Sequence, residues 1–96
     1  MPTPFKTDFS LDLPRLASHV DRWASEGLYG LMTGGNTAEA WNMTPAEWWQ
    51  YSETVAKANQ GRMMLTSVIL DPSPFTVLEK AHRLAELGFH LIEVIN

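Results

Sequence analysis

The 96-residue sequence contains no cysteine, which excludes a disulfide framework, a thiolate nucleophile and a thiolate metal site. No apolar run approaches the roughly 18 residues that a membrane-spanning helix needs. The start, Met1-Pro2-Thr3-Pro4-Phe5, lacks the basic, then apolar, then small-residue layout of a secretory signal. The expected compartment is therefore the cytoplasm, with no membrane partner. Basic residues are few. Seven Lys and Arg stand against eleven Asp and Glu, a formal net charge of −4, so no bulk field draws nucleic acid or an anionic surface to the chain. What is present, 45% hydrophobic and 19% charged residues with six Gly and six Pro, is the composition of one globular domain at most and excludes disorder and collagen.

Three times a helical pattern ends in glycine and an apolar β-type run follows. The first helix is expected to start near Ser10 or Asp12, with Pro14 in its first turn and Leu13, Leu16, Ala17, Val20, Trp23 and Ala24 along one face, and to end at Gly27. Residues 28–33 then read as a buried strand, followed by the loop Gly34-Gly35-Asn36-Thr37. Thr44-Pro45-Ala46-Glu47 has the pattern of a capping box with proline at the first helical position. The stripe of that second helix is Trp48, Tyr51, Val55 and Ala56 or Ala58, and Gly61 closes it before a strand over 63–70. For the third helix two starts are open, a Thr76/Glu79 capping box or a Ser73 cap with Pro74 first. Val77, Ala81, Leu84 and Ala85 follow at helical spacing, Gly88 ends the helix, and 89–95 is the last strand.

Gly27, Gly61 and Gly88 lie 34 and 27 residues apart, the length of one helix, one loop and one strand. Strands joined by helices run parallel, and their crossovers are right-handed in nearly all cases. Taken in unbroken order, such crossovers place every helix on one side of the sheet. The other side is then bare. The strands are apolar at odd and even positions alike, as in sheets covered on both faces. Either the strand order reverses and puts helices on both sides, or the sheet curls so that one face lines a barrel, and a complete barrel of this kind runs to about 250 residues.

Four segments choose between these. Thr3-Pro4-Phe5, Gly35-Asn36-Thr37-Ala38-Glu39, Met43-Thr44-Pro45-Ala46-Glu47 and Gly61-Arg62, in that order and at that spacing, resemble the dihydrodipicolinate synthase and N-acetylneuraminate lyase family, and the similarity spans the chain. The resemblance implies an α/β fold that is an incomplete (β/α)8 TIM barrel, about strands two to four with helices one to three, residues 1–96 being the N-terminal part of a single barrel domain. It also implies a Schiff-base lyase or aldolase acting on pyruvate or a related 2-keto acid, a homotetramer or dimer, with no cofactor and no metal. The family pattern after the second barrel strand is Gly-Thr/Ser-Thr-Gly-Glu. Here Thr37 matches, while Asn36 stands for the first hydroxyl and Ala38 for the second glycine. By that resemblance Gly35, Asn36 and Thr37 hold the substrate carboxylate, with Thr3, Pro4 and Glu39 in support. Asn36 keeps donors but lacks the hydroxyl that relays protons in the synthases, which points to a divergent lyase, dehydratase or aldolase.

The loop has a physical reading of its own. It lies at the carboxyl end of a parallel strand, where α/β proteins place ligands, and its two glycines let backbone amides approach an anion. A short polar loop is also an ordinary βα connection. The alternative function is a self-standing α/β module that binds a carboxylate or phosphate without catalysis.

No catalytic residue is expected within the chain. An imine needs a neutral lysine in a dry pocket at a strand end, and Lys6, Lys57 and Lys80 belong to the N-terminal segment and to two helices. In the family that lysine comes from the sixth strand and the proton-relaying tyrosine from the fifth, both beyond Asn96, so the segment alone is expected to be inactive. His19 and His82 lie on helices and His90 at the amino end of a strand, without the three or four ligands of a zinc site. Ser67 has no histidine in plausible reach. Glu93, an acid inside an apolar strand, points into a barrel or to water. Trp23 and Trp48 fall on core stripes, Trp41 lies in the motif loop, and Trp49 is placed to face a neighbour.

Overall fold

The first two helices start on side-chain caps, whereas the Ser73 side chain makes no cap bond at the third. A computed structural model describes residues 3–34, 43–71 and 73–95. The first helix, α1 (Leu13–Ser25), begins when the Asp12 carboxylate accepts the Arg15 amide at 3.1 Å, and it buries Leu16 and Val20. Trp23, expected on the core stripe, is only partly buried. In α2 (Pro45–Asn59) the capping box is complete: the Glu47 amide donates to Thr44 Oγ1 at 3.1 Å, and the Thr44 amide donates to Glu47 Oε1 at 2.9 Å. Two of the four orphan amide donors of a helix start are thus satisfied by one another's side chains. The third helix, α3 (Pro74–Glu86), takes the Ser73 start, with Pro74 in its first turn. A start at Thr76 does not occur, because the Val77 amide already bonds the Ser73 carbonyl at 3.0 Å, inside the first turn. Ala85, expected on the core stripe of α3, lies exposed, while Leu84 is buried.

The strands are β1 (Gly30–Thr33), β2 (Met64–Leu70) and β3 (Leu91–Ile95). Each begins later than its apolar run. Leu28 is held back because its amide bonds the Trp23 carbonyl at 3.2 Å, closing α1, and the ladder opens only when the Met64 amide donates to the Tyr29 carbonyl at 2.8 Å. Met63 belongs to a helix end instead. Its amide donates to Asn59 Oδ1 at 2.8 Å and its carbonyl accepts Asn59 Nδ2 at 2.9 Å, a closed pair of buried bonds between α2 and the head of β2. The helix reverses there through Gln60 and Gly61, both at positive φ, where glycine is unstrained.

The sheet order is β1-β2-β3, all parallel, with Gly30 opposite Met64, Thr33 opposite Ser67 and Ser67 opposite Ile92. Nothing reverses the order, so the doubly wound alternative is excluded for the described residues. Side chains alternate between the faces of a strand, and the register fixes which positions share a face. Leu31, Thr33, Leu65, Ser67, Ile69 and Ile92 point to the helices, where Leu65 and Ile69 join Leu16, Val20, Tyr51, Val55 and Leu84 in one core. Met32, Met64, Leu91, Glu93 and Ile95 lie on the opposite face and are exposed, with Val68 the buried exception on the central strand. Three helices on one face of three parallel strands, with the other face open, is the arrangement of a sector of a TIM barrel.

The amino end of this sheet is tied down. Arg62 Nη2 donates to Asp21 Oδ1 of α1 at 2.7 Å and to the Ala58 carbonyl at 2.8 Å, while Nε donates to the Asn59 carbonyl at 3.0 Å. One guanidinium thereby clamps α1 to the end of α2. His90 Nδ1 accepts the Leu65 amide at 3.1 Å and its own amide donates to the Leu65 carbonyl at 2.9 Å, which gives this histidine a structural role.

Candidate functional site

The candidate site lies at the opposite, carboxyl end of the sheet, where β1 gives way to its loop. Thr33, the last residue of β1, is buried, and its hydroxyl donates to the Thr66 carbonyl at 3.3 Å, which binds this end of β1 to β2. Gly34 follows at φ +75, and a Cβ there would stand 2.6 Å from the Val68 carbonyl oxygen. The close approach of two backbones, with a left-handed conformation, admits only glycine. Gly35, Asn36, Thr37 and Glu39, together with Trp41, lie outside the described residues.

The N-terminal segment reaches the same corner. The Pro4 carbonyl accepts the Asp12 amide at 3.1 Å and Phe5 bridges Leu11, so the segment folds back across the start of α1 and leaves Thr3 and Pro4 half-buried. Thr3 comes to Tyr51, whose phenol projects from α2 and is fully buried. Burial pushes the Tyr51 hydroxyl up to about 12, while the Thr3 side chain and the Gly34 backbone act in the other direction. Among the described residues Tyr51 Oη has no hydrogen-bond partner. Of the residues picked out from sequence, Thr3 is thus placed beside Tyr51. Tyr51, read only as part of a core stripe, lies near both Thr3 and the Gly34 backbone. Its burial on a helical stripe was legible, but the hydroxyl carried no signal of its own.

Lys80 lies in the third helix, as expected. Its Nζ lies 3.6 Å from Asp71 Oδ2, just past the carboxyl end of β2, and 4.8 Å from the centroid of the Trp48 ring.

Trp48 is buried and meets Trp49 edge to face with centroids 4.9 Å apart, and the Arg83 guanidinium lies 4.3 Å above Trp49. Trp49, Glu53, Arg83, Glu86 and Leu87 line an open cleft of about 340 Å³ between α2 and α3. It belongs to the helix layer. His19 packs on Trp23 with ring centroids 5.6 Å apart, and Ser67 is buried on the helix-covered face. Among the described residues no group of three or more His, Asp or Glu side chains is placed to hold a metal ion, and no helix is long and apolar enough to cross a membrane.

No protein-family model matches the chain. The 4-hydroxy-tetrahydrodipicolinate synthase of Acidobacterium capsulatum is 30% identical to it over 95 residues, which covers 98% of this chain and 32% of that protein. N-acetylneuraminate lyase 2 of Escherichia coli O6:H1 is 29% identical over 98 residues, or 100% of this chain and 32% of the lyase. Among solved structures, N-acetylneuraminate lyase from Mycoplasma synoviae superposes with a TM-score of 0.91 at 25% identity, over 98% of this chain and 32% of that one. The chain therefore spans about a third of the length of these relatives, and the superposition includes the three helices and three strands described above.

Proposed function

We propose, for a chain that is a part of the dihydrodipicolinate synthase and N-acetylneuraminate lyase family fold, that residues 1–96 are the N-terminal portion of a single barrel domain whose complete form is a Schiff-base lyase or aldolase acting on pyruvate or a related 2-keto acid. The observation that carries this reading is the open apolar face opposite the helices. A sheet with Met32, Leu91 and Ile95 uncovered is complete only when more chain closes over it, as the interior of a barrel does. The same reading makes the complete protein a homo-oligomer.

In this reading Gly35, Asn36 and Thr37 receive the substrate carboxylate, with Thr3, Pro4 and Glu39 around them. Gly34, held against β2, starts the loop at the carboxyl face, and backbone amides that need not move on binding are the cheapest partners for an anion. The carboxylate contact orients the adjacent keto carbon. A lysine supplied by the rest of the barrel attacks that carbon as a neutral amine, the oxygen leaves as water, and the resulting imine carries the electron pair of the bond that breaks next. Lys80 is engaged instead with Asp71 and Trp48. Lys6 and Lys57 are exposed to water.

The test is reductive trapping. Pyruvate and borohydride are added separately to the 96-residue chain and to a complete barrel protein that contains it, and both are weighed by mass spectrometry. A covalent adduct is expected on the complete protein alone. An adduct on the isolated chain overturns the assignment of the lysine to the missing part, and Lys80 is then the first residue to map.

A further inference from the structure

Two cations of α3 rest on two successive tryptophans of α2, Lys80 on Trp48 and Arg83 on Trp49. Beside Trp49 the helices leave the open cleft of about 340 Å³, which the proposed reaction does not use. Its charges are sorted along its length. Each helix follows one strand and leads to that strand's parallel neighbour, so α2 and α3 run in the same direction, with Arg83 level with Trp49. Glu53 lies four residues beyond Trp49 and Glu86 three beyond Arg83, which is about 4.5–6 Å along the helix axis. One end of the cleft is therefore cationic and the other anionic, around the partly buried Trp49 and Leu87.

Both ends have bonding capacity to spare. Arg83 has one carboxylate nearby, Glu79 Oε1 at 3.7 Å, and stacking on Trp49 uses the face of the guanidinium while leaving its N–H edges. Glu53 and Glu86 are exposed and form no ion pair among the described residues. Glu86 is also the last residue of α3, where a carboxylate meets the negative end of the helix dipole and a cation is favoured. Tryptophan and arginine are the residue types on which protein contacts concentrate their energy. A surface that is cationic at one end and anionic at the other is its own complement when turned over by a two-fold axis, as an isologous contact requires.

We propose that the α2–α3 cleft is a contact between two copies of this chain: a two-fold axis across the helices sets Arg83 of each copy on Glu53 and Glu86 of the partner subunit, over the Trp49 side chains. This rests on the homo-oligomeric part of the proposed reading and gives it a surface.

Charge exchange tests it. Arg83→Glu and the double variant Glu53→Arg/Glu86→Arg are followed by sedimentation velocity, each alone and as an equimolar mixture, over about 10 μM to 1 mM, the range of a small contact. All three positions are exposed, so melting temperatures should stay close to the wild-type value. The wild-type chain is expected to dimerise over this range. Each variant alone should dimerise about tenfold or more weakly, because like charges then face each other, and the mixture should recover the wild-type affinity or exceed it. Arg22→Glu mixed with Glu26→Arg, two exposed positions on α1, controls for charge alone and should change nothing. Association through the open sheet face would be the same in every sample. The inference is overturned if the wild type is monomeric throughout, if both variants associate as the wild type does, if the mixture associates no better than its parts, or if the α1 pair behaves alike. In a complete barrel protein that contains the chain, an oligomer indifferent to these reversals overturns the cleft and leaves the homo-oligomeric reading standing, whereas a wild-type monomer overturns both.

Discussion

On the helix-covered face of the sheet Leu65 and Ile69 are 2% and 1% exposed, whereas on the other face Met32, Leu91 and Ile95 are 51%, 58% and 46% exposed. The residue types hardly differ. The surroundings do, and burial follows the surroundings: one face is covered by α1, α2 and α3, apart from Val94 on the edge strand, and the other is open. The difference teaches that the strands are apolar toward both faces, while the helices cover only one of them. That is why a chain of ordinary globular composition can carry a complete helix layer and an uncovered apolar surface at once.

The sharpest way to break the comparison is to truncate a leucine on each side. Leu84 of α3 is fully buried against the covered face, so Leu84→Ala should cost about 2–5 kcal/mol of unfolding free energy in urea, the lost transfer energy plus a cavity. Leu91→Ala on the open face should change it by less than about 0.5 kcal/mol, as for a surface residue. Equal losses would mean that the two faces are equally buried in solution.

A smaller loss is expected where the sheet meets its loop. Gly34→Ala meets both a positive φ of +75 and a contact of 2.6 Å with the Val68 carbonyl. The 2.6 Å neighbour is a backbone carbonyl that cannot rotate away, so the backbone must shift, at about 2–3 kcal/mol for strain of this kind. The same denaturation curve reports it. Gly27→Ala, where an added Cβ has open space, isolates the conformational part and should cost less. If the two glycines respond alike, Gly34 is not pressed onto β2.

Local chemistry was legible in the sequence and long-range pairing was not. Asp12, the Thr44/Glu47 box, Pro14, Pro45 and Pro74 each act within one helical turn, so their positions set the helix starts directly. Strand ends depend on partners far along the chain. Nothing near Leu28 tells that β1 will pair only from Gly30, and nothing near Asn59 tells that its amide will close on Met63 before β2 begins. Parity along the strands could not say which face is bare, because both are apolar; only the placement of the helices decides it. At the site, the Gly-Asn-Thr-Ala-Glu motif and the Thr3-Pro4 start were visible by resemblance. The meeting of Thr3 with Tyr51 and Gly34 across more than thirty residues was not, since a tyrosine on a core stripe reads like any other apolar residue.

The smallest effect on stability bears on the largest claim. Met32→Thr combined with Leu91→Thr removes two exposed apolar side chains from the open face while keeping side chains that suit a strand. In the isolated chain the pair should move the unfolding free energy by less than about 1 kcal/mol. It should also lower the fluorescence of a dye that binds exposed apolar surface and raise solubility, because the patch it dilutes is what such dyes and aggregates use. In a complete barrel the same two residues would lie against other strands, and each would lose about 1.5–3 kcal/mol of burial. The sign of the comparison between short and complete protein is thus fixed by the geometry of the face. A short chain that binds no dye, unfolds cooperatively as a monomer and is damaged by the pair as badly as by Leu84→Ala would have covered this face by itself, and the self-standing binding module would then be the better account of the molecule.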